Sequence, residues 1–551
     1  MKIVIVGGVA GGMSAATRLR RLQEEAEIII FEKGPYVSFA NCGLPYYISG
    51  EIRKRQNLLV QTPESLRARF GLDVRPETEV LSVDGAKKEV LVRGPQGEYR
   101  ETYDKLILSP GAKPFIPPTP GLAEAKNLFT LRNVPDVDAI TAFLEEKSPK
   151  KAVVIGAGFI GLEMAESLKH RGLDVTVVEM APQVLPPFDP EMAAFVEEEL
   201  TANGIRVITG TAASAFHEEG RQVELKNGER LESELTILSV GVLPENTLAQ
   251  SAGVELGMRG GILVDENYET SVKDIYAVGD AIIVKNTILE DNAMIALASP
   301  ANRQGRQVAD ILSGVARKNK GSIGTAIVRV FGKAAASVGL NERQLQAAKL
   351  PFKAVHITAN SHAGYFPGAS SIFLKMLFSP VDGRIYGAQA VGADGVDKRI
   401  DILATAIKGD LRVEDLMELE FTYAPPFGSA KDPVNMVGYA ATNILEGFSD
   451  NIQWYELEEK REEGWFLLDV REPGEVARGR IDGFVNIPLN DLRERLHEIP
   501  AGKNVVVSCQ SGQRSYMAER ILKQHGYQAV NLDGAFNIYS RAKKEEIRYD
   551  V

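Results

Sequence analysis

The sequence predicts an α/β protein of about three to five domains, because the chain has 551 residues and a domain has roughly 150. Two segments, residues 2–32 and 151–179, each read as a buried strand, a glycine-rich turn, an amphipathic helix and a second strand. A further strand–loop–helix pattern at residues 504–522 indicates a smaller α/β domain near the C-terminal end. Strands that alternate with helices are typical of parallel sheets covered by helices.

Composition narrows the class of protein. Hydrophobic residues make up 44% of the chain and charged residues 25%, as in globular proteins, and the net charge of −11 argues against general nucleic-acid binding. The chain has no apolar run of about 18 residues, so we expect no membrane span, and the N-terminal glycines fit a turn better than a signal peptide. The two cysteines and six histidines lack disulfide or metal-ligand spacing, which predicts a reducing, cytoplasmic setting and no metal site.

The first unit, KIVIVGGVAGGMSAATRLRRL followed by AEIIIFEKG, fits a dinucleotide site. Gly7 and Gly12 lie in the turn, where the helix N-terminus can hold a pyrophosphate. Glu32 ends the second strand, 25 residues after Gly7, and can bind a ribose. The strict G-x-G-x-x-G pattern requires glycine at position 9, where this chain has Val9, so a glycine turn without a nucleotide is an alternative for this unit alone.

The second unit, KAVVIGAGFIGLEMAESLKHRGLDVTVVEM, has the full fingerprint in Gly156, Gly158 and Gly161. Glu179 closes its second strand, 23 residues after Gly156. A carboxylate here accepts hydrogen bonds from both ribose hydroxyls and repels a 2′-phosphate, which favours NADH over NADPH. NADPH stays open as an alternative.

Two flanking segments extend this pattern to a family resemblance. YDKLILSPGAKP, residues 103–114, contains Ser109 and Gly111 in a turn after a strand, and TSVKDIYAVGDAI, residues 270–282, ends a strand before Asp280. Together the four motifs resemble the flavoprotein disulfide reductases with two dinucleotide-binding domains, over residues 1 to about 445. The resemblance implies FAD at the first site, NAD(P)H at the second, Asp280 on the ribityl or phosphate end of the flavin, and a helix at residues 298–312 aimed at the isoalloxazine ring.

The stretch SFANCGLPYY contains Cys42, and the fifth residue after it is Tyr47, so an internal C-x-x-x-x-C disulfide is excluded. A single thiol can still form a mixed disulfide with a small molecule or cycle through sulfenic acid. The first glycine turn has Ala10 where the peroxidase and oxidase branch of the family carries a histidine. GGVAGG, SFANCGLPYYI and YAPPFG instead resemble the coenzyme A-disulfide reductase branch, which implies a redox-active Cys42 that pairs with coenzyme A.

The same branch implies a homodimer. Residues 323–446 correspond to an α+β dimerisation domain, and Tyr365 in HAGYFPG and Tyr423 in FTYAPPFG match the pattern of the branch. The resemblance places both phenols beside Cys42 in the active site of the partner subunit, as donors to the leaving thiolate. A loop-packing role is the alternative for each.

Coenzyme A has a phosphorylated ADP head that requires cations. Arg18 and Arg21 lie at i and i+3 on the first helix and can face one groove, and Ser38 and Asn41 flank the cysteine, where they can hold the pantetheine amides. Arginines on a surface helix are often only solvated, so their role in binding coenzyme A depends mainly on the resemblance.

The C-terminal segment places Cys509 between a buried strand and a helix. Successive backbone N–H groups, the helix dipole and Arg514 favour a thiolate there. Four residues separate Cys509 from Arg514, one fewer than in the phosphate cradle of protein tyrosine phosphatases, and the shorter ring fits a single sulfur. With LDVRE and GFVNIPL upstream, the segment resembles a single-domain rhodanese, which implies a sulfane-sulfur carrier at Cys509, with Asp469 and Arg471 bracing the fold. A catalytically inactive interaction module is the alternative.

The complete chain therefore resembles coenzyme A-disulfide reductase/rhodanese fusions, also described as persulfide reductases. That resemblance implies an NAD(P)H- and FAD-dependent cytoplasmic enzyme of sulfur metabolism that reduces coenzyme A persulfide, polysulfide or coenzyme A disulfide. The alternatives are an NADH oxidase or peroxidase that cycles through sulfenic acid, a redox sensor and a sulfur-binding scaffold. The expected domains are FAD-binding at 1–114 and 246–322, NAD(P)H-binding at 115–245, dimerisation at 323–446, a linker at 447–455 and rhodanese at 456–551.

Overall fold

The computed structural model describes residues 1–549, so the last two residues of the predicted 456–551 domain lie outside the described residues. The chain forms two units. The first comprises Met1–Pro182 and Gly204–Gly324, and the second comprises Gln183–Asn203 and the chain from Thr325 onward. Within the described residues, no helix combines the length and the apolar character needed to span a bilayer.

The first sheet of unit 1 is parallel, and its central strands are rich in branched apolar residues. Strand Lys2–Val6 pairs in parallel with Glu27–Phe31 on one side and Lys105–Leu108 on the other. Such continuous apolar runs are expected where helices cover both faces of a sheet. The strand order is Ile275–Ala277, Lys105–Leu108, Lys2–Val6, Glu27–Phe31, Asp73–Arg75.

Two helices approach each other closely on this sheet. They are Ala10–Leu22 and Ala298–Leu312, and the second has the bounds that the sequence predicts. A Cβ added at Gly305 would lie 2.1 Å from the carbonyl oxygen of Gly11, so glycine is required where the two backbones cross. The helix expected to face the flavin is therefore held against the first glycine turn.

The second sheet repeats the first. Strand Lys151–Ile155 pairs in parallel with Asp174–Val178 and Leu235–Leu238, and helix Phe159–His170 follows it. The strand order is Arg206–Ile208, Asp174–Val178, Lys151–Ile155, Leu235–Leu238, Leu128–Phe129. The other helices of unit 1 are Leu44–Ile48, Pro63–Phe70, Val134–Lys147 and Thr247–Ser251. Its antiparallel strands are Glu79–Asp84 with Glu89–Gly94 and Gly97–Thr102, Ala213–His217 with Gln222–Leu225 and Arg230–Glu232, Ala112–Pro114 with Val242–Pro244, and Val284–Lys285 with Asn292–Ala293.

Unit 2 begins with an antiparallel sheet and helices packed on it. The strand order is Thr325–Val330, Lys333–Gly339, Ile385–Gly392, Ser371–Phe378, Lys353–Asn360. The helices of this part are Pro190–Ala202, Glu342–Ala347, Val396–Lys408, Asp415–Glu418 and Pro433–Leu445. Helix Pro190–Ala202 lies within the predicted range 115–245, yet it groups with unit 2 because its apolar face is buried there.

The C-terminal part of unit 2 contains a parallel sheet. Its strand order is Asn451–Ile452, Ala529–Leu532, Val505–Ser508, Phe466–Asp469, Val485–Asn486. The helices are Leu457–Glu462, Pro473–Val476, Gln513–Gln524 and Ala535–Ala542, and Arg480–Ile481 pairs with Ile547–Arg548. Residues 451 and 452, within the predicted linker, form the edge strand. The predicted α/β fold class, with its α+β middle region, is confirmed.

Candidate active site

The first glycine turn exposes backbone donors beside the ends of three adjacent strands. Gly7 has a φ of +103°, and a Cβ there would lie 2.0 Å from the carbonyl oxygen of Ser109. A Cβ at Gly12 would lie 1.9 Å from the carbonyl oxygen of Gly7. Helix Ala10–Leu22 starts after Val9 without a side-chain cap, so its first N–H groups are free for an anion.

Glu32 and Glu179 are held in the same way in the two repeats. Glu32 accepts from the N–H of Gly8 at 2.9 Å and from that of Gly34 at 2.8 Å. Glu179 accepts from the N–H of Ala157 at 2.7 Å and from that of Ala181 at 2.8 Å. Both carboxylates are thus fixed at the end of the second strand, where a ribose binds in such units.

The second glycine turn has room for a pyrophosphate. A Cβ at Gly156 would lie 2.4 Å from the carbonyl oxygen of Ser239, and one at Gly161 would lie 1.9 Å from that of Gly156. By contrast, a Cβ at Gly158 would have no atom within 4 Å. Gly156 and Gly161 are therefore needed for packing, whereas Gly158 leaves open space above the helix N-terminus. This arrangement fits a bound dinucleotide.

The other predicted flavin contacts lie at the same edge of the first sheet. Ser109 and Gly111, which has a φ of +70°, follow strand Lys105–Leu108, and Asp280 follows the neighbouring strand Ile275–Ala277. Burial raises the pKa of the Asp280 carboxyl, and Arg132 opposes that shift. Because carboxyl ends of parallel strands line the binding crevice, these residues fit the FAD that the resemblance implies.

Cys42 lies on a segment tied to the first glycine turn. The N–H of Ser38 donates to the carbonyl oxygen of Gly8 at 2.8 Å, and Cys42 follows in a 3-10 turn, Asn41–Gly43, that leads into helix Leu44–Ile48. Both cysteines of the described chain are free, and Cys42 is exposed. Its surroundings raise the pKa of its thiol, first by desolvation and then through the carboxylates of Glu163 and Asp280.

The two arginines expected to bind coenzyme A have different environments. Arg18 Nε donates to Asp310 Oδ1 at 2.7 Å, and Arg317 Nε donates to the other oxygen of that buried carboxylate at 3.3 Å. Arg21 is exposed and donates to the carbonyl oxygen of Thr17 at 3.0 Å. Arg21 is available to a ligand as it stands, whereas Arg18 shares an acid with Arg317.

Tyr365 and Tyr423 are brought together within unit 2. Their hydroxyl oxygens lie 3.0 Å apart, and the two residues are 76% and 48% exposed. Phe427, at 72% exposed, extends the same aromatic surface. Exposed aromatic residues of this kind are typical of an interface with another chain.

The Cys509 loop binds its sulfur with neutral donors. Cys509 is fully buried, and its Sγ accepts from the N–H of Gly512 at 3.2 Å and from Ser515 Oγ at 3.3 Å. Gly512, with a φ of +97°, turns the chain into helix Gln513–Gln524. Asp469 and Arg471 form a buried ion pair with an Nη2–Oδ2 distance of 2.7 Å, as expected for residues that brace the fold.

A buried polar cluster behind this loop was not predicted. His356 Nδ1 lies 2.7 Å from Asp533 Oδ2, and His356 Nε2 lies 3.1 Å from Glu191 Oε1. Lys375 Nζ contacts Glu191 at 2.5 Å and Glu342 at 2.6 Å. Lys375 and Glu191 are 184 positions apart in the chain and His356 and Asp533 are 177 apart, so no local motif could have indicated the cluster.

Family comparisons agree with this domain order. The family model "Pyridine nucleotide-disulphide oxidoreductase" matches residues 1–305, the dimerisation domain of the same family matches 325–433, and a rhodanese-like domain matches 453–542. The coenzyme A disulfide reductase of Staphylococcus haemolyticus (strain JCSC1435) is 36% identical over 448 residues, which is 80% of this chain and 100% of that protein.

Two solved structures extend the similarity through the C-terminal domain. The crystal structure of reduced Bacillus anthracis CoADR-RHD is 52% identical, with a TM-score of 0.98, and the match covers 100% of this chain and 99% of that one. A NAD-dependent persulfide reductase from A. fulgidus is 36% identical, with a TM-score of 0.92 over 98% of this chain and 100% of that one.

Proposed function

The chain belongs to the pyridine nucleotide-disulphide oxidoreductase family, and from this we propose that it reduces coenzyme A persulfide, polysulfide or coenzyme A disulfide with NADH. In this proposal Cys42 is the redox-active residue and Cys509 carries sulfane sulfur. The observation that carries it is the position of Cys42, a free and exposed thiol on a segment hydrogen-bonded to the first glycine turn. A thiol without a partner cysteine in its motif can form a disulfide only with a sulfur from elsewhere, which the substrate supplies in this proposal.

The cofactors have matching sites. Gly7, Gly12 and Glu32 suit FAD, and Gly158 and Glu179 suit NADH, whose free ribose hydroxyls can reach the fixed carboxylate. FAD, when bound, supplies the redox chemistry that converts the hydride of the nicotinamide into two electrons for the reduction of sulfur. The chain's own residues bind these groups and place a thiol beside them.

Cys42 is the nucleophile of the proposed reaction. Its thiolate attacks the inner sulfur of a coenzyme A persulfide, hydrosulfide leaves and takes up a proton, and a mixed disulfide joins Cys42 to coenzyme A. Two electrons that originate from NADH then cleave this bond to give coenzyme A thiol and the Cys42 thiolate. Arg21 and Arg18 at the first helix are proposed to hold the phosphorylated ADP head, and Ser38 and Asn41 the pantetheine arm.

The tyrosines act on the leaving group. Tyr365 and Tyr423 share a hydrogen bond, which favours one phenol as a donor while the other supports it. We propose that a homodimer presents them to Cys42 of the partner subunit, in line with the match to a dimerisation domain. A phenol that donates to sulfur lowers the basicity of the departing thiolate and speeds its departure. The free cysteines and the thiol substrate fit the reducing, cytoplasmic setting expected for this chemistry.

NADH-dependent turnover tests the proposal. NADH oxidation is measured with coenzyme A persulfide and with coenzyme A disulfide, and sulfide release with the persulfide, for the wild type, Cys42→Ser and Cys509→Ser. We expect Cys42→Ser to abolish turnover of both substrates while the flavin absorbance of the purified protein is retained. Full persulfide reduction by Cys42→Ser, or peroxide turnover faster than that of either sulfur substrate, would refute the assignment.

A further inference from the structure

Glu475 forms an ion pair with Arg514, the cationic residue of the Cys509 loop. Arg514 Nη1 donates to Glu475 Oε2 at 2.6 Å, and Nη2 donates to Oε1 at 2.7 Å, so the contact is bidentate. The hydrogen bonds from Arg514 hold the pKa of the Glu475 carboxyl at about 2, so it is ionised at neutral pH. The side chains are 31% and 22% exposed, which places the pair where an approaching ligand meets it.

Arg471, the other arginine near the Cys509 loop, is also paired with a carboxylate. Arg471 donates to Asp469 Oδ2 through Nε at 3.0 Å and Nη2 at 2.7 Å, and it packs over the ring of Phe536 at 4.2 Å from the centroid. Glu472 adds a carboxylate on the same turn as Glu475 and interacts electrostatically with Arg514. Arg471 and Arg514 are therefore each paired with a carboxylate, which offsets the positive charge that an approaching anion would meet.

The sulfur itself has a neutral and enclosed environment. Cys509 is fully buried, and its two hydrogen-bond donors, the N–H of Gly512 and the hydroxyl of Ser515, carry no charge. A donor must therefore deliver its sulfur at the tip of a slender group.

Charge and shape separate two classes of sulfur donor. Thiosulfate is a dianion with a bulky sulfonate, and its sulfite leaving group needs cations to stabilise it. The persulfide group of a thiol persulfide carries at most one negative charge and presents its outer sulfur at the end of a flexible chain, so any other charge of the donor lies away from the reacting sulfur. Thiosulfate therefore requires a guanidinium whose charge is not already offset by a carboxylate, whereas a thiol persulfide does not.

We propose that Glu475 sets the donor specificity of Cys509: by holding Arg514, it disfavours thiosulfate and leaves thiol persulfides as the donors. This inference rests on the proposed role of Cys509 as a sulfur carrier and names the substrate class for that site.

The transfer is balanced without an external oxidant. The Cys509 thiolate attacks the outer sulfur of R–S–SH, a bond forms between Sγ and that sulfur, and the sulfur–sulfur bond of the donor breaks. The thiolate R–S⁻ leaves and takes a proton from solvent. Cys509 is oxidised to its persulfide, Cys509–S–SH, and the donor is reduced to its thiol.

The loading of Cys509 measures donor choice directly. The full-length chain with Cys42→Ser is mixed with coenzyme A persulfide or with thiosulfate at equal concentration, and intact mass follows the gain of one sulfur atom. We expect loading from the persulfide to be at least about tenfold faster, and Glu475→Gln to raise the thiosulfate rate about tenfold relative to the persulfide rate. Glu475→Gln combined with Arg514→Gln should lose that gain, because the freed guanidinium is then absent.

Glu472→Gln is the matched control. It removes the same charge from the same turn without breaking a hydrogen bond to Arg514, so we expect the ratio of the two rates to change less than about threefold. Equal rates before substitution, or a ratio that Glu475→Gln leaves unchanged, would overturn the inference, and the first comparison decides even where Glu475→Gln does not fold. Loading from neither donor would refute the carrier role of Cys509 itself, which separates the two failures.

Discussion

Gly158→Ala is expected to weaken NADH binding while leaving the fold intact. The added Cβ would have no protein atom within 4 Å, and the backbone there, with φ −77° and ψ −171°, is open to alanine. Alanine loses less entropy on folding than glycine but is a poorer N-cap for helix Phe159–His170, so the free energy of unfolding should change by less than about 1 kcal/mol.

Gly158→Ala should lower the affinity for the nucleotide. The pyrophosphate must approach the backbone at this glycine, and a methyl group takes that space. We expect the KM for NADH to rise at least tenfold, a loss of about 1.4 kcal/mol or more in binding. The assay is steady-state NADH oxidation with saturating sulfur substrate, beside thermal unfolding of the same preparation.

Two glycine variants control for this prediction. Gly161→Ala would place a Cβ 1.9 Å from the carbonyl oxygen of Gly156, so it should lower the unfolding temperature as well as activity. Gly474→Ala, in the C-terminal domain, also has open space around its Cβ and should change neither. An unchanged KM for NADH in Gly158→Ala would show that this turn does not bind the pyrophosphate.

Three further predictions concern charge. Glu163→Gln should lower the pKa of the Cys42 thiol, because one of the carboxylates that oppose its ionisation is removed; the pH dependence of alkylation measures this, and an unchanged midpoint would contradict it. Burial opposes the charge on His356, yet Asp533 raises its pKa to about 9 from 6.5, so the contribution of His356 to stability is fully present below pH 6.5 and is lost as the pH rises through 9, by about 3 kcal/mol in total. Chemical unfolding of the wild type should show this decline, and His356→Gln should remove it. Glu179→Gln should raise the ratio of kcat/KM for NADPH over NADH about tenfold, because the carboxylate no longer repels a 2′-phosphate.

Local patterns in the sequence were sufficient for the fold class and for the two strand, glycine turn and helix units, whereas the roles of Cys42 and Cys509 stay predictions. Gly7, Gly12, Gly156 and Gly161 could be recognised because a strand-to-helix turn needs glycine within a few residues of fixed positions, whatever the rest of the chain does. Tyr47 alone excluded an internal disulfide at Cys42 in the same local way. Helix 298–312, which the family resemblance implied, has the expected bounds.

The tertiary structure alone decided which charges meet. Arg514 follows Cys509 by five positions, and that spacing suggested a cation for the sulfur, yet the partner of Arg514 is Glu475, 39 residues away. Arg18 likewise shares Asp310, 292 residues distant, and His356 contacts Asp533 across 177 residues. Periodicity reports the geometry of the backbone over one or two turns, whereas an ion pair depends on which surfaces the complete fold brings within about 4 Å of each other. The donor specificity of the Cys509 loop is a property of that second kind.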